Sequence, residues 1–232
     1  MEEKKFVAFK KEELGVKEFI KAELGKGRIS SVSIEYTPVG EKIVVATSKP
    51  GQVIGRRGEK IEFLTSILKK KFKLDNPHIE IREIMNPNLD SQLVADDIAL
   101  SLERKGSLKF KVIAYRALQQ IVKSKALGVE IVLSGKLPSD RARRWRFSQG
   151  YLKKTGDPAK VVDVAQAQAT TGLGVVGVEV KILPPDAHIH DRIIVDQALR
   201  DKIKLQFQEL ITKIEEQPKP KKPAKKIKEE KK

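Results

Sequence analysis

The chain has 232 residues, 40% hydrophobic and 34% charged, enough apolar material for one or two packed domains. It has no cysteine, which excludes disulfides, thiolate catalysis and Cys-ligated metal centres; no apolar run nears the ~18 residues a membrane span needs. The formal net charge of +16, from 47 basic and 31 acidic residues, implies a polyanionic partner.

The N-terminus, Met1-Glu2-Glu3-Lys4-Lys5-Phe6, lacks a hydrophobic signal core, so a cytosolic protein is expected. Val16, Phe19, Ile20 and Leu24 recur at helical spacing and predict a helix over 12–24, ended by Gly25 and Gly27. Val32 to Tyr36 and Ile43 to Thr47 predict two strands joined by a turn at Pro38-Val39-Gly40. After Pro50 and Gly51, the short apolar piece Val53-Ile54 leads into Gly55-Arg56-Arg57-Gly58. Ile61, Leu64, Ile67 and Leu68 then mark an amphipathic helix to about Phe72, and a third strand is expected from Ile79 to about Ile84.

Asn86-Pro87-Asn88 marks a first boundary, with Pro87 suited to the first turn of a helix carrying Val94, Ile98 and Leu102 and capped by Gly106. Phe110, Ile113, Ala117 and Ile121 predict a further helix, and Val129, Ile131 and Leu133 a strand. A basic stretch runs from Lys136 to Lys154. Val161 to Val164 and Val175 to Ile182 are expected strands, Pro184-Pro185 a second boundary, and 191–216 a last helix. Pro218 to Lys232 holds eight lysines against two glutamates and reads as a disordered tail, so most of the excess charge belongs to the body of the chain. The expected fold class is α+β: domains over 1–86 and 87–184, a helical extension over 185–217 and the tail over 218–232.

Two constellations carry chemistry. In Gly55-Arg56-Arg57-Gly58 the glycines let a sugar-phosphate chain approach the backbone, the following helix offers its N-terminal N–H groups, and the arginines add charge. A Gly-x-x-Gly match alone is usually an ordinary turn. Here it stands in the order helix, strand, strand, helix pair, strand, which is that of a type II KH domain, a module that clamps about four nucleotides. The second constellation is Lys136, Arg141, Arg143, Arg144 and Arg146, followed by Lys153 and Lys154, with Trp145 and Phe147 interleaved. Strand alternation would send the aromatics into the core and leave the arginines to meet phosphates; an exposed Trp145 would instead stack on a base.

Other motifs read as structure. Gly172-Leu173-Gly174-Val175-Val176-Gly177 matches the dinucleotide fingerprint, with Asp196 about 20 residues on. The alternation of Val176, Val178, Val180 and Ile182 makes it a turn between strands. His188 and His190 follow a Pro-Pro break and read as a solvated connector; His78 has no obvious ligand partner. Asp96-Asp97 are expected to face solvent or pair with a basic neighbour. No P-loop, zinc-ligand spacing or Ser/His/Asp order is present, so neither an enzyme nor a cofactor is expected.

At this point the chain resembles the universal small-subunit ribosomal protein S-three family, in its archaeal/eukaryotic form. The resemblance runs over roughly 5–185. It is carried by Lys49-Pro50-Gly51-Gln52-Val53-Ile54-Gly55-Arg56-Arg57-Gly58-Glu59-Lys60-Ile61, Leu93-Val94-Ala95-Asp96, Ser101 to Lys105, Val132 to Leu137, Arg141-Ala142-Arg143, Ser148 to Pro158 and Gly174 to Ile182. The resemblance implies a second domain of two helices on a four-stranded sheet. It also implies a structural constituent of the small-subunit head in the cytoplasmic ribosome, bound to ribosomal RNA and neighbouring head proteins, near where messenger RNA enters. No small-molecule substrate or membrane is implied. Lys49 and Lys60 join the loop residues as expected RNA contacts. On the helix at about 107–124, Lys109, Lys111 and Arg116 stand for the basic residues with which bacterial relatives help to unwind messages. Val112 and Tyr115 stand where those relatives are basic. Two other readings remain open: a free KH regulator of single-stranded RNA, which leaves the second basic stretch unexplained, and a nucleic-acid enzyme, for which no activated group stands out.

Overall fold

The computed structural model describes residues 2–189, apart from 39, 73 and 75, and residues 197–215. The first layer begins with α1 (Glu2–Leu24), which extends ten residues N-terminal to the periodic stretch. Only its C-terminal half has a buried stripe, from Val16, Ile20 and Leu24; the earlier turns expose Phe6, Val7 and Leu14, which is why apolar periodicity does not reveal them. β1 (Ile29–Thr37) and β2 (Gly40–Thr47) pair antiparallel. The piece containing Val53 and Ile54 forms a short helix, α2 (Pro50–Ile54), with Pro50 in its first turn, where its missing N–H costs nothing. α3 (Glu59–Phe72) follows, and β3 (His78–Glu83) returns parallel to β2, giving the sheet order β1-β2-β3. One core of Val16, Ile20, Ile43, Val45, Val53, Leu64 and Leu68 lies between helices and sheet.

The second layer opens with α4 (Ser91–Lys105). Pro87 is not in its first turn: Pro87–Leu89 is a separate 3₁₀ turn, and Asp90 caps α4 by accepting from the Leu93 N–H at 3.0 Å. An Asp side chain can supply the acceptor that the helix start needs and Pro87 cannot. Gly106, at φ 81°, ends α4 by donating its N–H to the Leu102 carbonyl. α5 (Phe110–Lys123) precedes β4 (Gly128–Lys136), β5 (Ala142–Gly150), β6 (Asp163–Thr171) and β7 (Gly174–Leu183). The sheet order is β5-β4-β7-β6, all antiparallel. β6 starts at Asp163, later than Val161, which lies in a 3₁₀ turn. Thr171 faces Gly174 across the hairpin, so the glycine-rich segment is a strand-to-strand turn. The core here joins Ile98, Leu102, Phe110, Ile121, Ile131, Leu133, Val178, Val180 and Ile182.

The two layers are joined by the loop after α1 and the start of β1. Gly27, at φ +78°, donates its N–H to Asp96 Oδ2 at 2.9 Å, and a Cβ at Gly27 would stand 3.0 Å from Leu100. Lys26 reaches the Gln168 carbonyl at 3.0 Å and Glu103 at 3.6 Å, while Ser30 donates to Asp90. Asp96 is only 8% exposed and accepts from Gly27 and from the Gln92 amide. The expectation that it faces solvent or a cation is corrected: it satisfies a backbone donor of another element, a long-range role that local spacing does not encode.

Residues 1–189 and 190–232 form separate units. In the second, α6 spans Gln197–Glu215 and exposes Leu199, Ile203, Leu205 and Phe207. The start of the expected last helix, over 191–196, its end at 216, and the expected tail lie outside the described residues, as does His190.

Candidate RNA interface

The Gly-x-x-Gly loop sits at the junction of α2 and α3. Gly55 has φ 77° and donates its N–H to the Gly51 carbonyl at 3.1 Å, closing α2. Arg57 is left-handed, at φ 52° and ψ 21°, and Gly58 has φ 83°. Two successive left-handed residues swing the chain out before α3 begins, and they leave Arg56 and Arg57 exposed. A Cβ at Gly55 would come within 2.9 Å of Lys60 Cγ, whereas one at Gly58 would meet nothing within 4 Å. Lys60 folds back to the Gln52 carbonyl at 3.2 Å and braces the loop from behind. Lys49 is exposed at the start of α2. The open side of the loop therefore presents Arg56, Arg57 and the Gly58 backbone at the N-terminus of a four-turn helix, where an anion is favoured.

In the second layer, alternation along β5 sorts the basic stretch. Phe147 is buried and Trp145 half-buried on the helix side, where Phe110 lies 5.3 Å from Trp145 and 6.5 Å from Phe147, centroid to centroid. The Trp145 indole N–H donates to the Leu137 carbonyl at 3.1 Å. Trp145 is therefore a packed residue and not a free stacking platform. Arg144 and Arg146 emerge on the opposite face, away from α4 and α5. There Arg144 pairs with Glu179 at 3.3 Å, and Arg146 and Lys154 both pair with Glu130, at 3.2 and 3.1 Å. Lys136 shares that face by strand parity, Arg141 is exposed in the β4–β5 turn, and Lys153 precedes Lys154 in the segment after β5. Arg143 lies on the other face, at the exposed end of β5.

On α5 and the turn before it, Lys109, Lys111 and Arg116 are exposed, and Lys111 Nζ lies 5.0 Å from the Trp145 ring centroid. The same surface exposes Val112 and Tyr115, at 68% and 56%. Apart from Arg143, the structure thus divides the predicted residues among three surfaces: the loop of the first layer, the outer surface of α5, and the face of the second sheet opposite α4 and α5. Sequence spacing missed Glu130, Glu179 and Lys181, which share that last face; the period-2 pattern of Val129, Ile131 and Leu133 already placed Glu130 opposite the core. Among the described residues no group of three or more acidic or His side chains could hold a metal, and no helix is long and apolar enough to cross a membrane.

The order α1-β1-β2-α2-α3-β3, with a Gly-x-x-Gly loop ahead of α3, makes this a protein with a type II KH domain. Comparison with known families agrees: a model described as KH domain matches residues 15–89, and one described as Ribosomal protein S3, C-terminal domain, matches residues 98–182. The small ribosomal subunit protein uS3 of Methanocaldococcus jannaschii is 42% identical over 198 residues, covering 85% of this chain and 94% of that protein. A uS3 of Methanococcus maripaludis is 39% identical over 84% of this chain and 92% of its own length. That of Haloquadratum walsbyi is 41% identical over 76% of this chain and 54% of its own. The chain belongs to the ribosomal protein uS3 family, in its archaeal/eukaryotic type.

Proposed function

We propose that the protein is a structural, non-enzymatic constituent of the small subunit of the cytoplasmic ribosome, bound to ribosomal RNA. Family membership supports the assignment to the subunit. The observation that carries the RNA reading is the Gly-x-x-Gly loop, which exposes Arg56 and Arg57 beside the N-terminal N–H groups of α3. The finer reading places the protein on the subunit head, beside neighbouring head proteins and near where messenger RNA enters. In it, residues 1–86 act as the KH domain and 87–184 as the second RNA-binding domain. Lys49, Gly55, Arg56, Arg57 and Gly58 contact RNA through the first domain; Lys60 shapes the loop from behind. Lys136, Arg141, Arg143, Arg144, Arg146, Lys153 and Lys154 contribute through the second. Lys109, Lys111 and Arg116 face the incoming message. The exposed Val112 and Tyr115 interrupt that last surface, so message-unwinding is not part of the reading.

Sedimentation of a native cell extract through a high-salt wash tests the assignment. Near-stoichiometric retention with the small subunit is the expected result. Recovery only in light fractions would replace it with a free RNA-binding regulator.

A further inference from the structure

The face of the β5-β4-β7-β6 sheet opposite α4 and α5 carries two charge clusters built on one plan. Glu130 of β4 pairs with Arg146 of β5 at 3.2 Å and accepts from Lys154, beyond β5, at 3.1 Å. Glu179 of β7 accepts from Arg144 of β5 at 3.3 Å and pairs with Lys181 of β7 at 3.1 Å. In each cluster one carboxylate holds two cations, so each keeps an uncompensated positive charge. The carboxylates are withdrawn and the arginines are not: the Glu130 and Glu179 side chains are 5% and 25% exposed, against 59% for Arg146 and 68% for Arg144. A negative base beneath a positive rim directs each guanidinium while leaving most of its five N–H donors open to solvent.

Register relates the clusters. Glu179 is the cross-strand partner of Val132, and Glu130 lies two residues from Val132 on the same face. Such diagonal neighbours are about 7–8 Å apart, close to the step between successive phosphates of one RNA strand. Exposed ion pairs contribute little to stability. A pair of twofold clusters at phosphate spacing is better matched to a ligand with two anions in series.

We infer that Glu130 and Glu179 are positioning residues that hold Arg146 with Lys154, and Arg144 with Lys181, as a preorganised cradle for two consecutive backbone phosphates of an RNA strand. The inference rests on the reading that this face meets RNA, and it adds Lys181 to the contacting residues. Holding the four long side chains in place before binding lowers the entropy lost when they engage.

The sign of one substitution separates this from simple charge attraction. Glu130→Gln and Glu179→Gln each raise the net charge by one, so charge attraction alone makes both variants bind more tightly. The cradle requires the reverse: each weakens binding of a small-subunit ribosomal RNA transcript by about two- to tenfold. The measurement is affinity of the full chain against salt concentration, with thermal unfolding in parallel; Glu179→Gln alters the more exposed carboxylate and decides the matter if Glu130→Gln does not fold. Tighter or unchanged binding by folded Glu→Gln variants overturns the positioning role. The Arg144→Gln/Arg146→Gln double variant tests the underlying reading: binding should weaken, and the counter-ion slope become shallower by about 0.7–0.9 for each phosphate that is no longer neutralised. No change in affinity or slope there would remove this face from the RNA contact altogether.

Discussion

At Gly58, charge and conformation can be tested separately. With φ 83° and nothing within 4 Å of a built Cβ, a substitution here strains the backbone without a clash. A left-handed non-glycine residue costs roughly 1–2 kcal/mol, and Asn and Asp tolerate the region better than most. Gly58→Asp is therefore expected to fold and to bind RNA more weakly than Gly58→Asn, which matches it in size and strain but adds no negative charge. Filter binding of both variants to one transcript measures the difference; equal affinities would take the loop out of the phosphate contact. Asp96 belongs to the same scale. Asp96→Ala leaves the Gly27 N–H without its acceptor and should lower the unfolding free energy by about 1–3 kcal/mol in a denaturant titration. Asp96→Asn, which keeps an acceptor oxygen, should lose less. Hydrogen bonds from Lys10 and then Lys17 hold the Glu13 carboxyl below its ordinary range. The Lys42 hydrogen bond does the same for Glu80, and that bond in turn holds Lys42 above the ordinary lysine range. A carboxylate with a depressed value stabilises the fold fully above its ordinary range, and the contribution disappears as pH falls through the depressed value. Lys42 behaves oppositely, losing its contribution as pH rises through its raised value. Removing the pair with Glu80→Gln should thus lower the thermal midpoint at neutral pH, with the gap to the parent closing on acidification. A gap that stays constant down through the carboxylate range would dismiss the pair.

At the scale of elements, alternation and capping account for most of what could be read in advance. β4 and β7 send Ile131, Leu133, Val178 and Val180 to the core, and their period of two is visible in the sequence. β5 was harder. Ala142 to Gly150 offers only Trp145 and Phe147 to the core, so hydropathy shows a basic stretch where the backbone runs as a nine-residue edge strand. Its charges suit that place, since an edge strand rich in arginine resists pairing with another chain. α1 shows the converse: its first turns carry no buried stripe, so periodicity underestimates its length. On α5, apolar residues interleave with the basic ones on the exposed side. Charge reversal there, by Lys109→Glu with Lys111→Glu, should weaken binding of single-stranded RNA more than the same number of reversals among Lys4, Lys5 and Lys11 on α1. Equal losses would mean that the α5 surface acts only through net charge.

For the whole molecule, the salt dependence of binding is the integrated readout. Cations on three surfaces should give a steep fall of affinity with salt, with a log–log slope of about −0.7 to −0.9 per neutralised phosphate. Titration of the full chain against a ribosomal RNA transcript should therefore return a slope of several units; a nearly flat line would leave the basic surplus without its partner. The loop after α1 bears on this scale too. Through Asp96 and Glu103 it ties the KH domain to α4, joined by Ser30 of β1 at Asp90. Asp96→Ala is then expected to reduce affinity for a long transcript that spans both surfaces more than for a short oligonucleotide that fills one.

The sequence by itself determined the two α+β layers, the KH element order and the family. Hydrophobic periodicity, glycine at left-handed positions and the run of motifs are local properties that survive without a structure. It also placed Arg56, Arg57 and the β5 arginines on the surface, because alternation and spacing decide which way a side chain points. Only the tertiary structure decided what those side chains meet. The pairing of Gly27 with Asp96, 69 residues apart, and the gathering of Arg144, Arg146, Lys154 and Lys181 around two glutamates depend on strand order and register. Those follow from the packing of whole elements, and no window of the sequence contains them.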